Sequence, residues 1–357
     1  MSSSPSLVIV GGYAPVDEPG IYLFHFDEAS GGLTAHGSYT GITNPSFLVH
    51  HPRQPWLYAV AETSEHGDGL PGAVWALRFA AASSTLHPIN HQLSGGDHPC
   101  HLQMDRAGRW LLVSNYSGGS VAVLPILADG ALGERTDLVQ HEGHSVRPDR
   151  QEKAHAHSAR FSPDERFVLV ADLGLDEVRL YAFDSQAGQL TPHSHVATRP
   201  GAGPRHMTFH PRGRTLYVAN ELNNTVTVYG YDAAAGQLQE RQTLDTLPPD
   251  VPDNIVADIH LDASGQRLYV SNRGHNSLSV FNVEPDEQLT PLAVASCGGN
   301  WPRHFSLTPR GRGVLVANQY SHQVSVLPLL AGPEAIGPLI AQVTVPRPSC
   351  VISQPEK

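Results

Sequence analysis

A short apolar stretch recurs seven times along this 357-residue chain, and its spacing restricts the fold more than any other feature of the sequence. Each copy is rich in valine, leucine and tyrosine. The six intervals between the first copy and the last have a mean of 51 residues. A period of about 50 residues that consists only of strands is typical of β-propeller blades, whereas a solenoid repeats more tightly or contains helices. The copies are centred on Val10, Ala59, Val113, Val170, Val218, Val270 and Val316.

Each repeat contains the signals of four short strands. In the segment Pro204–Glu221, residues 206–209 and 215–219 are rich in residues that favour strands, and residues 210–214 between them have turn chemistry. No stretch of the chain has the spacing of an amphipathic helix. We therefore predict an all-β fold, a seven-bladed β-propeller with four-stranded antiparallel blades. No break in composition divides the sequence, so we expect one β-propeller domain over residues 1–357.

The two ends of the sequence predict how the ring closes. The first strand signal, at Leu7, corresponds to the second strand of a repeat, and no first strand precedes it. The segment Arg347–Ser353 resembles the first-strand starts at Asn44–Phe47 and His98–His101. We therefore expect a C-terminal strand to complete the first blade as its innermost strand, which removes the open edges of the ring.

Charge and cysteine content argue against several classes of function. The chain has 23 Lys and Arg against 34 Asp and Glu, a net charge of −11, which disfavours nucleic acid or an anionic membrane as a partner. Its three cysteines are too few and too scattered for a disulfide framework or a zinc knuckle. The apolar run Leu7–Val10 is too short for a signal peptide or a membrane span, so we expect a cytoplasmic protein.

Polar and charged residues gather where the repeats predict one mouth of the central channel. Antiparallel strands reverse direction, so the start of each first strand and the end of each second strand share an edge, and Arg205 should neighbour Glu221. Buried charges are costly unless they are paired, so this set indicates a ligand site, although pairing between blades explains Arg303 and Glu62 equally well. The first-strand starts are Ser46, Cys100, His157, Arg205, Asp258, Arg303 and Ser349, and the second-strand ends are Tyr13, Glu62, Tyr116, Leu173, Glu221, Arg273 and Gln319.

Six specific motifs follow one another between His155 and Phe305. They are HAHSARFSPD from His155, GPRHMTFHP from Gly203, NEL from Asn220, ADIH from Ala257, SNRGH from Ser271 and NWPRHF from Asn300. In order and spacing they resemble the seven-bladed propeller lactonase family, which is best known for 6-phosphogluconolactonase activity and also contains a fungal carboxymuconate cycloisomerase. The resemblance implies a functional set of one histidine, two arginines and a glutamate. By motif these fall on His157, Arg205, Arg273 and Glu221, and His155 competes with His157 for the histidine role.

Hydrolysis of a lactone needs a base for the attacking water and a cation for the oxyanion that develops. Glu221 or His157 is the candidate base, and Arg205 or Arg273 is the candidate oxyanion stabiliser. The arginine fork also suits a phosphate or a carboxylate on the substrate. We therefore expect metal-independent hydrolysis of a small anionic sugar lactone, 6-phosphogluconolactone first among them, with no cofactor. The substrate-binding candidates are His101, Lys153, His155, Arg303, Asp258 and Gln319.

Two other interpretations stay open. In one, the chain is a cycloisomerase or a lactonase for another anionic lactone, such as carboxymuconolactone, because the same arginines serve phosphate and carboxylate. In the other it is a non-catalytic scaffold, although the Gly-His and Trp-Asp signals of WD-type propellers are absent. The irregular stretch His141–Lys153 is longer than an ordinary loop between blades and is either functional or simply solvated. The sequence predicts no metal motif and no particular oligomeric state.

Overall fold

The chain folds into short strands joined by tight turns. The computed structural model describes residues 6–64, 71–80, 85–248, 251 and 253–354, and it contains no helix within these ranges. In chain order the strands are β1 Ser6–Gly12, β2 Pro19–Asp27, β3 Gly32–Thr40, β4 Leu48–His50, β5 Trp56–Ala61, β6 Ala73–Phe79, β7 Leu86–Leu93, β8 Pro99–Met104, β9 Trp110–Asn115, β10 Ser120–Pro125, β11 Asp137–Gln140, β12 Ala156–Phe161, β13 Phe167–Asp172, β14 Glu177–Asp184, β15 Gln189–Ala197, β16 Pro204–Phe209, β17 Thr215–Asn220, β18 Thr225–Asp232, β19 Gln237–Asp245, β20 Ile255–Leu261, β21 Arg267–Arg273, β22 Ser277–Val283, β23 Leu289–Ser296, β24 Pro302–Leu307, β25 Gly313–Asn318, β26 Gln323–Pro328, β27 Ala341–Thr344 and β28 Pro348–Ser353.

These strands form seven four-stranded antiparallel sheets, the blades. Blades 2 to 7 are successive groups of four strands, from β4–β7 to β24–β27. Blade 1 has the order β28-β1-β2-β3, and β28 pairs with β1 through Ile9↔Ile352 and Gly11↔Cys350. The predicted seven-bladed propeller and its closure by the C-terminal strand are confirmed.

The first strands of the blades form a closed ring. Each contacts the first strand of the next blade, from β4 through β8, β12, β16, β20 and β24 to β28, and β28 contacts β4. Because these strands stand side by side around one axis, residues at equivalent positions of different blades meet in the central channel. Among the residues that the structure describes, no helix is long and apolar enough to cross a membrane.

Apolar side chains fill the spaces between neighbouring blades. In β9, Leu111 and Val113 pack with Tyr58 of blade 2, whereas Leu112 packs with Val168 of blade 4. A second strand therefore buries both of its faces, and this explains why these strands are apolar throughout instead of alternating. Burial of each such side chain contributes about 1.5–3 kcal/mol.

A β-bulge interrupts the pairing at the start of six first strands, and four of these bulges carry a thiol, an imidazole or a guanidinium group. The register shifts between Pro99 and His101 in β8, and at the equivalent places in β12, β16 and β24. A bulged residue has no partner in the ladder, so its side chain is turned away from the regular alternation. The residues at these four bulges are Cys100, His157, Arg205 and Arg303.

Candidate active site

Glu221 is the centre of a charged cluster at one end of the channel. It directly follows β17 and is buried. Arg205, the bulged residue of β16, places its Nε 2.9 Å from Glu221 Oε2 and donates from Nη1 to the carbonyl oxygen of Ala257 at 2.6 Å. The hairpin brings together the two residues that the sequence placed side by side, so an ion pair lies inside the ring.

Two further arginines reach the same carboxylate. Arg273, the last residue of β21, places Nη2 2.7 Å from Glu221 Oε2 and donates to the carbonyl oxygen of Val256 at 2.9 Å. Arg150 places Nη2 2.6 Å from the other oxygen, Oε1. Three guanidinium groups thus surround one carboxylate, and the ion pairs and hydrogen bonds fix the orientation of each.

Arg150 was not among the predicted site residues. It lies in the irregular stretch 141–153, where the buried side chain of Gln151 donates to the carbonyl oxygen of Leu173 at 2.8 Å. Lys153, the residue that the sequence favoured in this segment, is exposed. The unusual length of the loop was the available signal for a functional role, but length does not indicate which basic residue turns inward.

His157 faces Glu221 across the cluster. Its Nε2 lies 3.8 Å from Glu221 Oε2, and its Nδ1 lies 3.8 Å from the sulfur of Cys100. Burial raises the pKa of the Cys100 thiol, so this sulfur is a neutral, weak nucleophile. The ring of Tyr116 meets His157 edge to face at 5.2 Å between centroids.

His155, the competing histidine, has a different environment. Its ring stacks on Tyr116 at 4.5 Å between centroids, and its Nδ1 lies 3.1 Å from the backbone oxygen of Tyr116. Its Nε2 lies 3.2 Å from the exposed side chain of Glu152. Both ring nitrogens of His155 are therefore engaged away from the carboxylate of Glu221, which His157 approaches.

Protonation in the cluster follows from burial and neighbouring charge. Burial alone would raise the pKa of Glu221, but Arg273, Arg205 and Arg150 outweigh it and hold that pKa well below the ordinary value. Burial lowers the pKa of His157 well below 6.5, and the charge of Arg205 lowers it further. Burial also lowers the pKa of Arg273 to about 9, against the pull of Glu221. At neutral pH the site therefore holds an ionised glutamate beside a neutral imidazole.

A second polar group lies on the blade 1 side of the same mouth. The guanidinium carbon of Arg303 lies 5.4 Å from the ring centroid of Tyr13. The Tyr13 hydroxyl donates to Glu62 Oε2 at 2.9 Å, and the hydroxyl of Ser46 donates to the same oxygen. Gln319 is buried at the end of blade 7, and its backbone N–H donates to Trp301 at 3.0 Å. Arg303, Glu62 and Ser46 line a small cavity that they share with Arg205.

Asp258 lies one position deeper in the channel than the sequence predicted. The ladders align Ile259 with Met207, so Ala257, and not Asp258, is the counterpart of Arg205. The bulge in β20 and the missing proline at its start obscured this register in the sequence. The cluster around Glu221 forms the first layer of the channel at its mouth, and Asp258 lies in a second layer directly below it. A substrate-binding role for Asp258 stays a prediction.

This second layer is a network of histidines around one buried carboxylate. Asp258 Oδ1 lies 2.7 Å from His206 Nδ1, and Oδ2 lies 2.8 Å from His260 Nε2. His101, another predicted substrate-binding residue, lies in this layer with its ring 5.3 Å from that of His206. His101 is thus placed below the cluster around Glu221.

Asp258, His260 and His304 carry donor atoms within 4.8 Å of one another, which is close enough for a shared metal ion. However, Asp258 also accepts from the backbone N–H of Phe305 at 3.1 Å. His304 Nδ1 accepts the backbone N–H of Val351 at 3.3 Å, which leaves the proton of the neutral ring on Nε2, the atom that faces Asp258. The group is therefore arranged as a hydrogen-bonded network and not as a set of free ligands.

The geometry of the cluster around Glu221 suits nucleophilic attack on the carbonyl group of an anionic or polarised compound. It offers a neutral imidazole, an ionised carboxylate and several fixed guanidinium groups within one buried opening. These groups can accept a proton, orient a polar substrate and stabilise negative charge.

Comparison with known proteins gives one consistent result. A family model described as Lactonase, 7-bladed beta-propeller matches residues 7–353. The chain is 35% identical over 347 residues to a 6-phosphogluconolactonase of Bacillus subtilis (strain 168), and the match covers 96% of each chain. The structure of a periplasmic gluconolactonase of Pseudomonas aeruginosa matches with a TM-score of 0.93 and 34% identity, over 99% of this chain and 100% of that one. A structure from Lactobacillus plantarum matches with a TM-score of 0.90 and 33% identity, over 98% and 99% of the two chains.

Proposed function

The chain belongs to the seven-bladed β-propeller lactonase family, a family of lactone-hydrolysing enzymes, and from this premise we propose that it hydrolyses 6-phosphogluconolactone to 6-phosphogluconate. The likeness to the Bacillus subtilis 6-phosphogluconolactonase over nearly the full length of both chains supports this substrate. We assign the reaction to the mouth that contains Glu221 and His157. A phosphorylated sugar acid is charged and does not cross membranes freely, so the proposal also places the protein in the cytoplasm.

The observation that carries the proposal is the charge of this mouth. Among the described residues, four arginines and two carboxylates, Glu62 and Glu221, gather there, although the chain as a whole has a net charge of −11. A cationic opening in an acidic protein attracts an anionic substrate and holds it in place. The four arginines are Arg150, Arg205, Arg273 and Arg303.

We assign the role of base to His157. Both oxygens of Glu221 already lie within 2.9 Å of guanidinium nitrogens, and its pKa is held far below neutral, so it accepts a proton poorly. His157 is neutral at pH 7 and has an unprotonated ring nitrogen. Glu221 then serves to hold the arginines and, at 3.8 Å, to stabilise the imidazolium as it forms.

The reaction follows in two steps. Water attacks the carbonyl carbon while His157 takes one of its protons, and Arg205 or Arg273 stabilises the tetrahedral oxyanion. The bond between the carbonyl carbon and the ring oxygen then breaks, and His157 returns the proton to that oxygen. One water is consumed, and the product acid ionises in solution. None of these steps requires a metal ion, which keeps the proposal metal-independent.

Separate replacement of His157 and of His155 tests the assignment of His157 as the base. We expect His157→Gln to lower kcat by at least about 100-fold, in the range of general base catalysis, and His155→Gln to retain most of the activity. The assay is lactone hydrolysis followed in a pH-stat, with thermal unfolding to confirm that both variants fold. Wild-type turnover in His157→Gln would exclude His157 as the base.

Unphosphorylated gluconolactone is the second candidate substrate. The likeness to the Pseudomonas aeruginosa periplasmic gluconolactonase favours it. The two lactones share the ring that reacts, so the same cluster would serve both. A direct comparison of kcat/KM for the two lactones decides between them.

A further inference from the structure

Arg303 differs from the other arginines of the mouth because no carboxylate of the described residues forms an ion pair with it. Arg150, Arg205 and Arg273 all contact Glu221. The guanidinium of Arg303 forms no ion pair and donates no hydrogen bond to the residues that the structure describes, and it lies over the ring of Tyr13 instead. Five N–H donors of one cation are therefore left for a ligand or water.

The carboxylates near Arg303 attract it but form no direct ion pair with it among the described residues. Glu62 attracts Arg303 electrostatically, but its Oε2 accepts hydrogen bonds from Tyr13 and Ser46. The charge of Arg303 in turn disfavours the charged forms of Arg205 and Arg273. A half-buried cation that repels its neighbours is costly unless an anion joins it. Glu62 and Glu221 favour the charged form of Arg303 from a distance, but no described carboxylate lies within ion-pair distance of it, so its N–H donors are available to a bound anion.

A second arginine extends this group toward the surface. The guanidinium carbon of Arg347 lies 5.3 Å from the centroid of the same Tyr13 ring, and Arg347 is exposed. Tyr13 itself is fixed by its hydrogen bond to Glu62 and by the backbone bond from its N–H to Arg347 at 3.1 Å. Two guanidinium groups are thus held against one rigid ring, with Arg303 toward the channel and Arg347 at the rim.

We propose that Arg303 and Arg347, arranged around Tyr13, form an anion subsite that takes the phosphate group of a phosphorylated sugar lactone. The Glu221 cluster, on the blade 5 side of the mouth, then holds the lactone ring. Planar guanidinium groups bind phosphate oxygens in pairs, which a carboxylate-saturated arginine cannot do. This inference rests on the proposed function and assigns to Arg303 and Arg347 the preference for phosphorylated over unphosphorylated lactone.

Binding of the two product acids provides the test. Isothermal titration calorimetry compares 6-phosphogluconate with gluconate for the wild type, Arg303→Gln, Arg303→Lys, Arg347→Ala and a charge-matched control, Arg212→Ala. Arg212 lies in the turn at the opposite end of blade 5 and contacts Glu287 at 3.6 Å. We expect Arg303→Gln to weaken the binding of 6-phosphogluconate at least about tenfold, whereas the affinity for gluconate should change less than about threefold. Arg303→Lys should keep part of the preference for 6-phosphogluconate. Arg347→Ala should weaken 6-phosphogluconate binding less than Arg303→Gln does, because Arg347 is exposed. Arg212→Ala should leave the affinity for both acids unchanged.

Kinetics provide the second readout. For 6-phosphogluconolactone, Arg303→Gln should raise KM and leave kcat nearly unchanged, because the phosphate does not react. Equal losses for both acids, or no loss for either, would overturn the subsite. Binding is measured without turnover, so a wild type that binds 6-phosphogluconate through Arg303 and hydrolyses no lactone would refute the proposed function alone. A wild type that hydrolyses both lactones equally well would refute the subsite alone.

Discussion

Arg150 Nη2 lies 2.6 Å from Glu221 Oε1, although the two residues are 71 positions apart in the chain. The contact joins the loop between blades 3 and 4 to the end of the second strand of blade 5. Arg150 keeps 32% of its side-chain surface exposed, whereas Glu221 keeps 3%. The loop arginine therefore closes one side of a carboxylate that the channel arginines hold from the other.

Replacement of Arg150 should lower activity without unfolding the protein. Arg150→Ala removes one of three cations from Glu221 and opens the side of the cluster that faces solvent, so we expect kcat/KM to fall about tenfold or more. Arg147→Ala is the matched control, because Arg147 lies in the same loop, keeps 43% of its side-chain surface exposed and pairs with Asp149 at 3.1 Å. Steady-state lactone hydrolysis measures both variants. Equal activities would show that the contact plays no part in the reaction.

Replacement of Glu221 should lower the free energy of unfolding, because three arginines lose their shared carboxylate. Glu221→Gln leaves three guanidinium groups without their shared carboxylate, and loss of one partner from a buried ion pair destabilises by about 3–5 kcal/mol. The added substitution Arg150→Gln removes one of the stranded charges and should recover part of this loss. Urea unfolding of the wild type, both single variants and the double variant gives the coupling free energy. Strictly additive effects would contradict the electrostatic account.

Strand periodicity predicted the parts of the structure that repeat. The apolar second strands determine the blades because each is buried on both faces, and the unpaired strand signal at Leu7 predicted its partner in residues 348–353. Reversal of direction in each hairpin predicted the meeting of Arg205 with Glu221. The hairpin relationships depend on local pairing, and the closure between the chain ends follows from the count of strands per repeat, so both are visible in a sequence.

The unpredicted features depend on contacts that a repeat does not encode. The bulge in β20 places Ala257 opposite Arg205 and moves Asp258 one layer deeper. The path of the loop that presents Arg150 depends on distant partners such as Leu173, which bonds to the side chain of Gln151. Neither a bulge register nor an irregular loop path follows from the alternation of apolar residues.

The channel histidines should make stability depend on pH. Burial lowers the pKa of His206 from 6.5 to about 3 and that of His304 from 6.5 to about 4. Between these values the unfolded chain binds protons that the folded chain does not. The free energy of unfolding therefore rises with pH across this window and falls on acidification from pH 6.5 toward 4, by at most about 1.4 kcal/mol per pH unit for each histidine.

Urea midpoints at pH 7, 6 and 5 measure this slope. His206→Gln should flatten it, because one of the groups that titrates only in the unfolded state is gone. His87→Gln, at an exposed position of β7, is the control and should leave the slope unchanged. A stability that does not change between pH 7 and 5 would contradict the assignment of neutral histidines to the channel.

Metal chelation should leave both activity and stability unchanged. Asp258, His260 and His304 lie close enough to share an ion, but His304 Nε2 carries the ring proton because Nδ1 accepts the N–H of Val351. A metal at this position would have to displace that proton and the hydrogen bond from His260 to Asp258 at 2.8 Å. We therefore expect EDTA to leave kcat and Tm at their starting values, and added Zn²⁺ to produce no rise in Tm. A rise that disappears in His260→Gln would show that the histidine network rearranges to bind metal, because mass action stabilises any folded state that holds a ligand.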